Sequence, residues 1–384
     1  MQIPISSQSE YDKAVKKRLH MGNELVIQNT GSFIVVKTDA TVGKNGRCKT
    51  DGKSQVSITA KENGIVTAGG KTTVIGHGNA NIIARGNCKI TLHGDAFVNC
   101  YGHCHVTLNG KSKASVDGSC TVRAFEESSV SASGSSKVYT EQKASARGTD
   151  AASLSGKGES TLSGYKNCTI TAKDNCIVYA NDNCTVQAAD NCLVVARQSA
   201  KVVSQDNCLI MSSGNPDISI AGQCEHVDMD NVSDKNIMGT LKQMAQSRAI
   251  AERPYAAIQI LKDNIPAQRK DAVSRRLAAM GLKDQTAAKN YLYSLIEAKP
   301  AAKSHNAAQN FERQLELAQK AGHVQGVCES AAAIGNEQSI GKKLLSEMNV
   351  TRDMAKKYAS PEIYKTLEKD IFSRKPEQAH SRKM

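Results

Sequence analysis

Tryptophan is absent from the 384-residue sequence, and all aromatic residues together make up 4% of it. Phe, Tyr and Trp ordinarily fill the wide centre of a globular domain, so their scarcity argues against a thick core and for something thinner. Proline is sparse as well, and of seven only Pro216 falls between residues 24 and 228. A long stretch without proline keeps every backbone N–H available as a ladder donor. No apolar run approaches the roughly 18 residues that a membrane-crossing helix requires. The opening Met1–Glu10 has no basic region followed by an apolar stretch, which predicts a chain made in the cytoplasm without a cleaved signal. At 40% hydrophobic residues the sequence is still rich enough to pack, and its length predicts two domains of ordinary size.

What fills the space left by aromatics is a repeat. Ten of the twelve cysteines, from Cys48 through Cys88, Cys104, Cys120, Cys168, Cys176, Cys184, Cys192 and Cys208 to Cys224, are separated by multiples of eight residues. Gaps in that column hold Ala or Ser, as at Ala80, Ala96, Ser128, Ser136 and Ala152. Two residues on, a column beginning Val26, Ile34, Val42, Ile58, Val66 and running to Ile218 is aliphatic and mostly β-branched. Two further on, Ala60, Ala68, Ala84, Ala172, Gly156 and Gly164 are small again. Small, aliphatic, small at a spacing of two is a short strand with one buried face. The polar remainder of each octad ends in Gly-Asn or Asp-Asn, as at Gly78-Asn79 and Asp190-Asn191, which suits a corner with Asn in the left-handed region. Strand and corner in alternation predict a parallel β-solenoid, and the narrow Ala and Cys columns favour two octads per coil over three.

The organisation follows from where this pattern stops. Residues 1–23 are expected to form a helical cap, with a short helix from Ser9 to Met21, a capping box at Ser9 and Asp12, and Val15 and Leu19 on one face. Residues 24–228 form the solenoid. Residues 229–373 change to a 3.6-residue period, with faces at Ile237, Leu241 and Met244, at Val273, Leu277 and Met280, at Phe311 with Leu315, at Ile340 with Leu344, and at Ile363, Leu367 and Ile371. Gly281 reads as a helix stop, and Pro266 and Pro361 as first-turn residues. That is an all-α domain of seven or eight helices, followed by a charged, unpatterned tail over 374–384.

The chain carries a net charge of +13, of which +9 lies beyond residue 228. A basic helical domain makes anionic partners reasonable, and the residues expected to meet them are Lys270, Arg275, Arg276, Lys342, Lys343, Lys356 and Lys357. These cations are scattered, with no run of five, and helix faces in solvent carry such pairs routinely. An interacting protein is therefore the first expectation and nucleic acid the second.

Catalytic and metal motifs are scarce. Cysteine spacings of eight and sixteen are not metal-ligand spacings, and alternation with Ala and Ser marks the repeat thiols as reduced core filler. Cys100, His103, Cys104 and His105 are the densest cluster, but strand alternation turns the two His away from Cys104, so no metal and no cofactor is expected. Asp174, Asp190 and Asp206 recur every sixteen residues; a calcium ladder would need a nine-residue period with paired glycines, so a plain corner explains them. Gly69-Gly70-Lys71-Thr72 lacks the first glycine of a phosphate loop. The catalytic candidates that remain are His305, His323, Cys328 and Glu329, without any recognisable enzyme signature around them.

The octads, most clearly Asn175-Cys176-Ile177-Val178-Tyr179-Ala180-Asn181-Asp182-Asn183-Cys184, resemble those of octapeptide-repeat β-solenoid proteins of bacteria and phages, over residues 9 to 224. The departure is Cys where Ala is commoner. The resemblance implies the solenoid fold and a phage or pathogen setting, and implies no catalytic residue. The helical third resembles no family. The resulting expectation is a non-enzymatic interaction or scaffold protein, cytoplasmic or delivered as an effector into a host cell, monomeric or a small oligomer. Alternatives are an effector enzyme with its site in the helical domain, a nucleic-acid-binding protein, or a filament protein resembling the bactofilins in being a solenoid.

Overall fold

The computed structural model describes residues 1–251, 253–282, 284–297 and 350–372, with single positions 324, 325, 328, 331, 332, 345 and 346. Its chain divides into two units, one of residues 1–228 with 247–249, the other of 229–246 and 250 onward. The first is a parallel β-solenoid and the second is helical.

Twenty-seven short strands, β1 (Gln2–Ile5) through β27 (Glu225–Asp228), alternate between two parallel sheets of fourteen and thirteen strands. Even-numbered strands with β1 form sheet A, and the remaining odd-numbered strands form sheet B. Partners are sixteen residues apart, as in Ile90 with Val106 and Val122, so each coil is two octads. Fourteen strands at the ~4.8 Å spacing of a ladder give a length on the order of 60 Å. The core is a single thin layer running its whole length, made of Val, Ile, Leu, Ala and Cys, where Cys88, Cys104, Cys120, Cys168, Cys176, Cys184, Cys192 and Cys208 are fully buried. None of the twelve cysteines forms a disulfide. Beside Leu154, Leu162 and Ile170 the small column shrinks to Gly148, Gly156 and Gly164: a Cβ on Gly164 would lie 2.7 Å from Ile170 Cδ1 and 3.1 Å from Cys184 Sγ. The layer keeps one thickness because volume added at one position is removed at its neighbour.

Corners are built differently from the expectation. The left-handed residue is the Asp and not the Asn that follows it, with φ of +60° at Asp174, +61° at Asp190 and +65° at Asp206. Its carboxylate accepts the backbone N–H of the corner residue one coil earlier: Asp174 from Gly158 at 2.9 Å, Asp190 from Asp174 at 3.0 Å, Asp206 from Asp190 at 3.2 Å. Asp182 does the same for Lys166, Gln142 for Glu126 and Gln198 for Asp182. A position that demands positive φ is thus filled by a residue whose side-chain oxygen also satisfies a neighbouring donor.

The first coils depart from strict period. Register offsets there are 15, 14 and 18 residues, as in Val26 with Thr41, Ile34 with Cys48, and Ala40 with Ile58. Leu25 and Ile27 are therefore buried and Val26 faces outward, a one-residue shift from the column read in the sequence. From β6 (Ser57–Ala60) onward the offset is a constant sixteen. The N-terminal helix α1 spans Gln8–Lys16 and is capped by Ser7, whose hydroxyl accepts the N–H of Glu10, so the cap lies two residues ahead of Ser9. Tyr11 and Ala14 are its buried residues, and Leu19 is exposed. The segment before it is a strand, β1, which starts sheet A.

The helical unit contains α2 (Ile237–Gln246), α3 (Pro254–Asn264), α4 (Ala267–Ala279), α5 (Gln285–Glu297), α6 (Arg352–Tyr358) and α7 (Pro361–Leu367) among the described residues. Ile237, Leu241 and Met244 form the buried face of α2, and Val273 and Leu277 that of α4. Gly281 follows α4 at φ +71°. Pro361 opens α7 behind a Ser360 cap, but Pro266 is itself the cap residue of α4 and lies outside the first turn. A second cluster joins Val324, Cys328, Ala331, Leu345, Val350, Ala355, Leu367 and Ile371. The faces expected around Phe311 and Ile340, and the tail over 374–384, lie outside the described residues. No helix among the described residues is long and apolar enough to cross a membrane.

Candidate functional site

The basic residues picked out in the sequence do not converge. Lys270, Arg275 and Arg276 all lie on α4, yet at 100° per residue Lys270 stands about 140° from Arg275 and about 120° from Arg276 around the helix axis. Lys270 is half-buried and pairs with Asp263 at 3.7 Å. Arg275 is exposed, and Arg276 is half-buried near Tyr291, whose hydroxyl burial pushes up to about 12. Lys356 and Lys357 are exposed at the end of α6, Lys357 lying over the Tyr358 ring at 5.1 Å. Lys342 and Lys343 lie outside the described residues. Arg269, which the sequence does not single out, serves the fold, its guanidinium donating to the carbonyls of Asp230 and Val232.

Of the catalytic candidates, Cys328 is fully buried among aliphatic side chains, away from any substrate in solvent. His305, His323 and Glu329 lie outside the described residues. In the metal candidate, Cys100 and Cys104 point into the core while His103 and His105 are exposed. No group of three or more His, Cys, Asp or Glu among the described residues is placed to hold an ion. His77 and His93 do meet, stacked one coil apart with ring centroids 5.0 Å apart, and burial, His93 and Lys61 together hold His77 below its ordinary value. Burial likewise disfavours the charged form of the Cys48 thiol, which it pushes up to about 12.

A feature that the residue pattern does not reveal lies at the irregular N-terminal end of sheet A. There His20, Asn23, Glu24, Leu25, Asp39, Thr41, Ser57 and Thr59 line a cleft of about 400 Å³. Glu24 accepts the Thr41 hydroxyl and the Gln2 amide, which hold its carboxyl below the usual range, so it is an anionic acceptor at neutral pH and no general acid. Asp39 accepts the Ser57 N–H at 2.7 Å. In the cleft the Thr41 hydroxyl donates to Glu24, a carboxylate held too weakly basic to activate it, and the His20 Nδ1 is buried without a hydrogen-bond partner. It arises from the register shift of the first coils, which no residue type in the sequence announces.

Away from this cleft the solenoid surface is ladders of polar side chains. Lys111 with Glu127, Lys143 with Glu159, Lys166 with Asp150 and Lys201 with Asp217 pair across successive coils at 2.6 to 3.8 Å. Arg85 lies over Tyr101 and Arg147 over Tyr165. Toward the C-terminal end sheet B alters: its outward positions Leu193, Val195, Leu209 and Met211 are apolar and buried, where earlier coils carry Ser129, Ser145 and Ser163. The residues Ser247–Ala249 fold with this unit, and Ser247 Oγ donates to the Asn207 carbonyl at 3.1 Å. These features define a parallel β-solenoid protein with a C-terminal helical region. Compared with family models, curated proteins and solved structures, the chain matches none of them.

Proposed function

We propose that the protein is a non-enzymatic interaction protein, a stiff solenoid joined to a basic helical unit that engages an acidic surface on a protein partner. The observation that carries this reading is the distribution of charge. Residues 1–228 carry a net +4, and Lys111, Lys143, Lys166 and Lys201 there pair with anions on a neighbouring coil, whereas the helical unit carries the remaining +9 and exposes Arg275, Lys356 and Lys357. Paired surface charges stabilise little and attract little; uncompensated ones steer association. The octad resemblance favours a phage or pathogen setting, with host machinery as the target and the cytoplasm as the place of action. Catalysis in the helical unit is the weaker reading, because Cys328 is enclosed.

The test is capture of partners from cells by the immobilised full chain and by a chain lacking residues 233–384. Loss of every partner on deletion is expected. Equal capture by both would overturn the assignment of binding to the helical unit.

A further inference from the structure

Four thiols stack in consecutive coils at one inner corner of the solenoid: Cys176, Cys192, Cys208 and Cys224. The first three are fully buried, each with a coil on either side. Cys224 differs, being only partly buried on the last coil, beyond which neither sheet has another strand. Within the ladder, Leu209 is paired with Glu225 and the Glu225 N–H donates to the Cys208 carbonyl at 2.9 Å, which places Cys208 and Cys224 level with each other on adjacent coils. Each thiol donates to backbone carbonyls, Cys208 to those of Asp190 and Gln205 and Cys224 to those of Asp206 and Ala221. Cα atoms on neighbouring coils lie ~4.8 Å apart, within the roughly 4.4 to 6.8 Å that a disulfide spans.

We infer that Cys224 is the oxidant-accessible end of the thiol ladder and that Cys208 resolves it, closing a Cys208–Cys224 disulfide across the last two coils. Peroxides are the class of oxidant. The Cys224 thiolate attacks the peroxide, so that an S–O bond forms as the O–O bond breaks and one oxygen leaves as hydroxide or alkoxide. Cys208 sulfur then attacks the sulfenic sulfur; the S–S bond forms, the S–O bond breaks, and hydroxide departs with the thiol proton as water. Two thiols lose two electrons and two protons, and the peroxide gains them. Closure needs one side chain to swing about its Cα–Cβ bond toward the other. Cys224 has that freedom because no coil lies above it, whereas Cys176 and Cys192 are held between neighbours and stay reduced. Burial raises the Cys224 thiol, so the reaction is slow at neutral pH and faster near about pH 8.5, where more thiolate is present.

The experiment treats the folded full chain with hydrogen peroxide, blocks remaining thiols after unfolding and maps the peptides by mass. The expected result is ten blockable thiols, against twelve in the untreated chain, with the missing pair linked as Cys208–Cys224. Cys208→Ser retains a small polar group of the kind found at Ser112 and Ser128 in the same column, and should leave a Cys224 sulfenic acid that dimedone traps. Cys224→Ser should keep all eleven remaining thiols. Twelve thiols after peroxide, a bond between any other pair, or an intermolecular disulfide through Cys224 in place of the internal one would each overturn the inference.

Discussion

Asp190 turns the chain at φ +61°, accepts the Asp174 N–H at 3.0 Å and presents its own N–H to Asp206. Three substitutions separate these contributions. Asn keeps both the tolerance for positive φ and an acceptor oxygen, glycine keeps only the first, and alanine keeps neither. The expected order of stability is therefore wild type close to Asp190→Asn, then Asp190→Gly, then Asp190→Ala. The Ala variant should lose about 1 to 3 kcal/mol from left-handed strain and the unmade hydrogen bond together. Guanidinium denaturation of the four proteins measures it, and equal losses for Asn and Ala would show that the corner oxygen does not matter. The Asp column is visible in the sequence, but its role is not. Spacing of sixteen reveals that the residues stack, while the choice of Asp over Asn as the left-handed residue depends on which side chain reaches the preceding coil, a matter of three-dimensional direction.

Among the elements, α1 is held against residues 35–38 by two side chains, Gln8, which accepts the Val35 N–H at 2.7 Å and donates to its carbonyl at 3.2 Å, and Tyr11. Tyr11 is 2% exposed, and its hydroxyl accepts the N–H groups of Lys37 at 2.7 Å and Thr38 at 3.1 Å while also meeting Thr38 Oγ1. Tyr11→Phe preserves the ring's packing and leaves two partly buried donors unmet, a loss of about 1 to 3 kcal/mol. Hydrogen exchange at Lys37 and Thr38 should quicken with it, and exchange rates unchanged there would rule out the hydroxyl as the clamp. Strands were far more legible than this helix. An eight-residue column with β-branched centres is the pattern of a repeating strand, so strand positions and the buried thiols follow from it, while the narrow Ala and Cys columns only favour the two-octad coil that the register shows. The first coils escape that logic because offsets of 15, 14 and 18 break the column, which misplaces Val26 and hides the cleft around Glu24. Charge was legible only as a sum. The sequence identifies Lys270, Arg275 and Arg276 as basic, and only the helical phase shows that they face different ways.

For the whole solenoid, stability must be distributed along a line, because each strand pairs only with those one coil before and after it. In such an array the free energy is close to a sum of coil terms and nearest-neighbour interfaces, so opening starts where an interface is missing or poor. The last strand of sheet A, Asp217–Ile220, has one neighbour, and its Ile220 is 44% exposed. The first coils have shifted registers and a partly exposed Val26. Between them, strands from Ser57 to Ser204 keep a constant offset and a fully buried aliphatic column. Native-state hydrogen exchange should accordingly give a graded profile: strongest protection in coils near Cys120 to Cys184, intermediate protection in the α1-clamped N-terminal coils, and weakest at Asp217–Ile220. Formation of the Cys208–Cys224 bond ties the penultimate coil to the last, and in oxidised protein it should raise protection at Glu225–Asp228 while leaving the centre unchanged. A flat profile, with every strand exchanging at one common rate set by global unfolding, would mean that the coils are coupled over distances that nearest-neighbour ladders do not transmit.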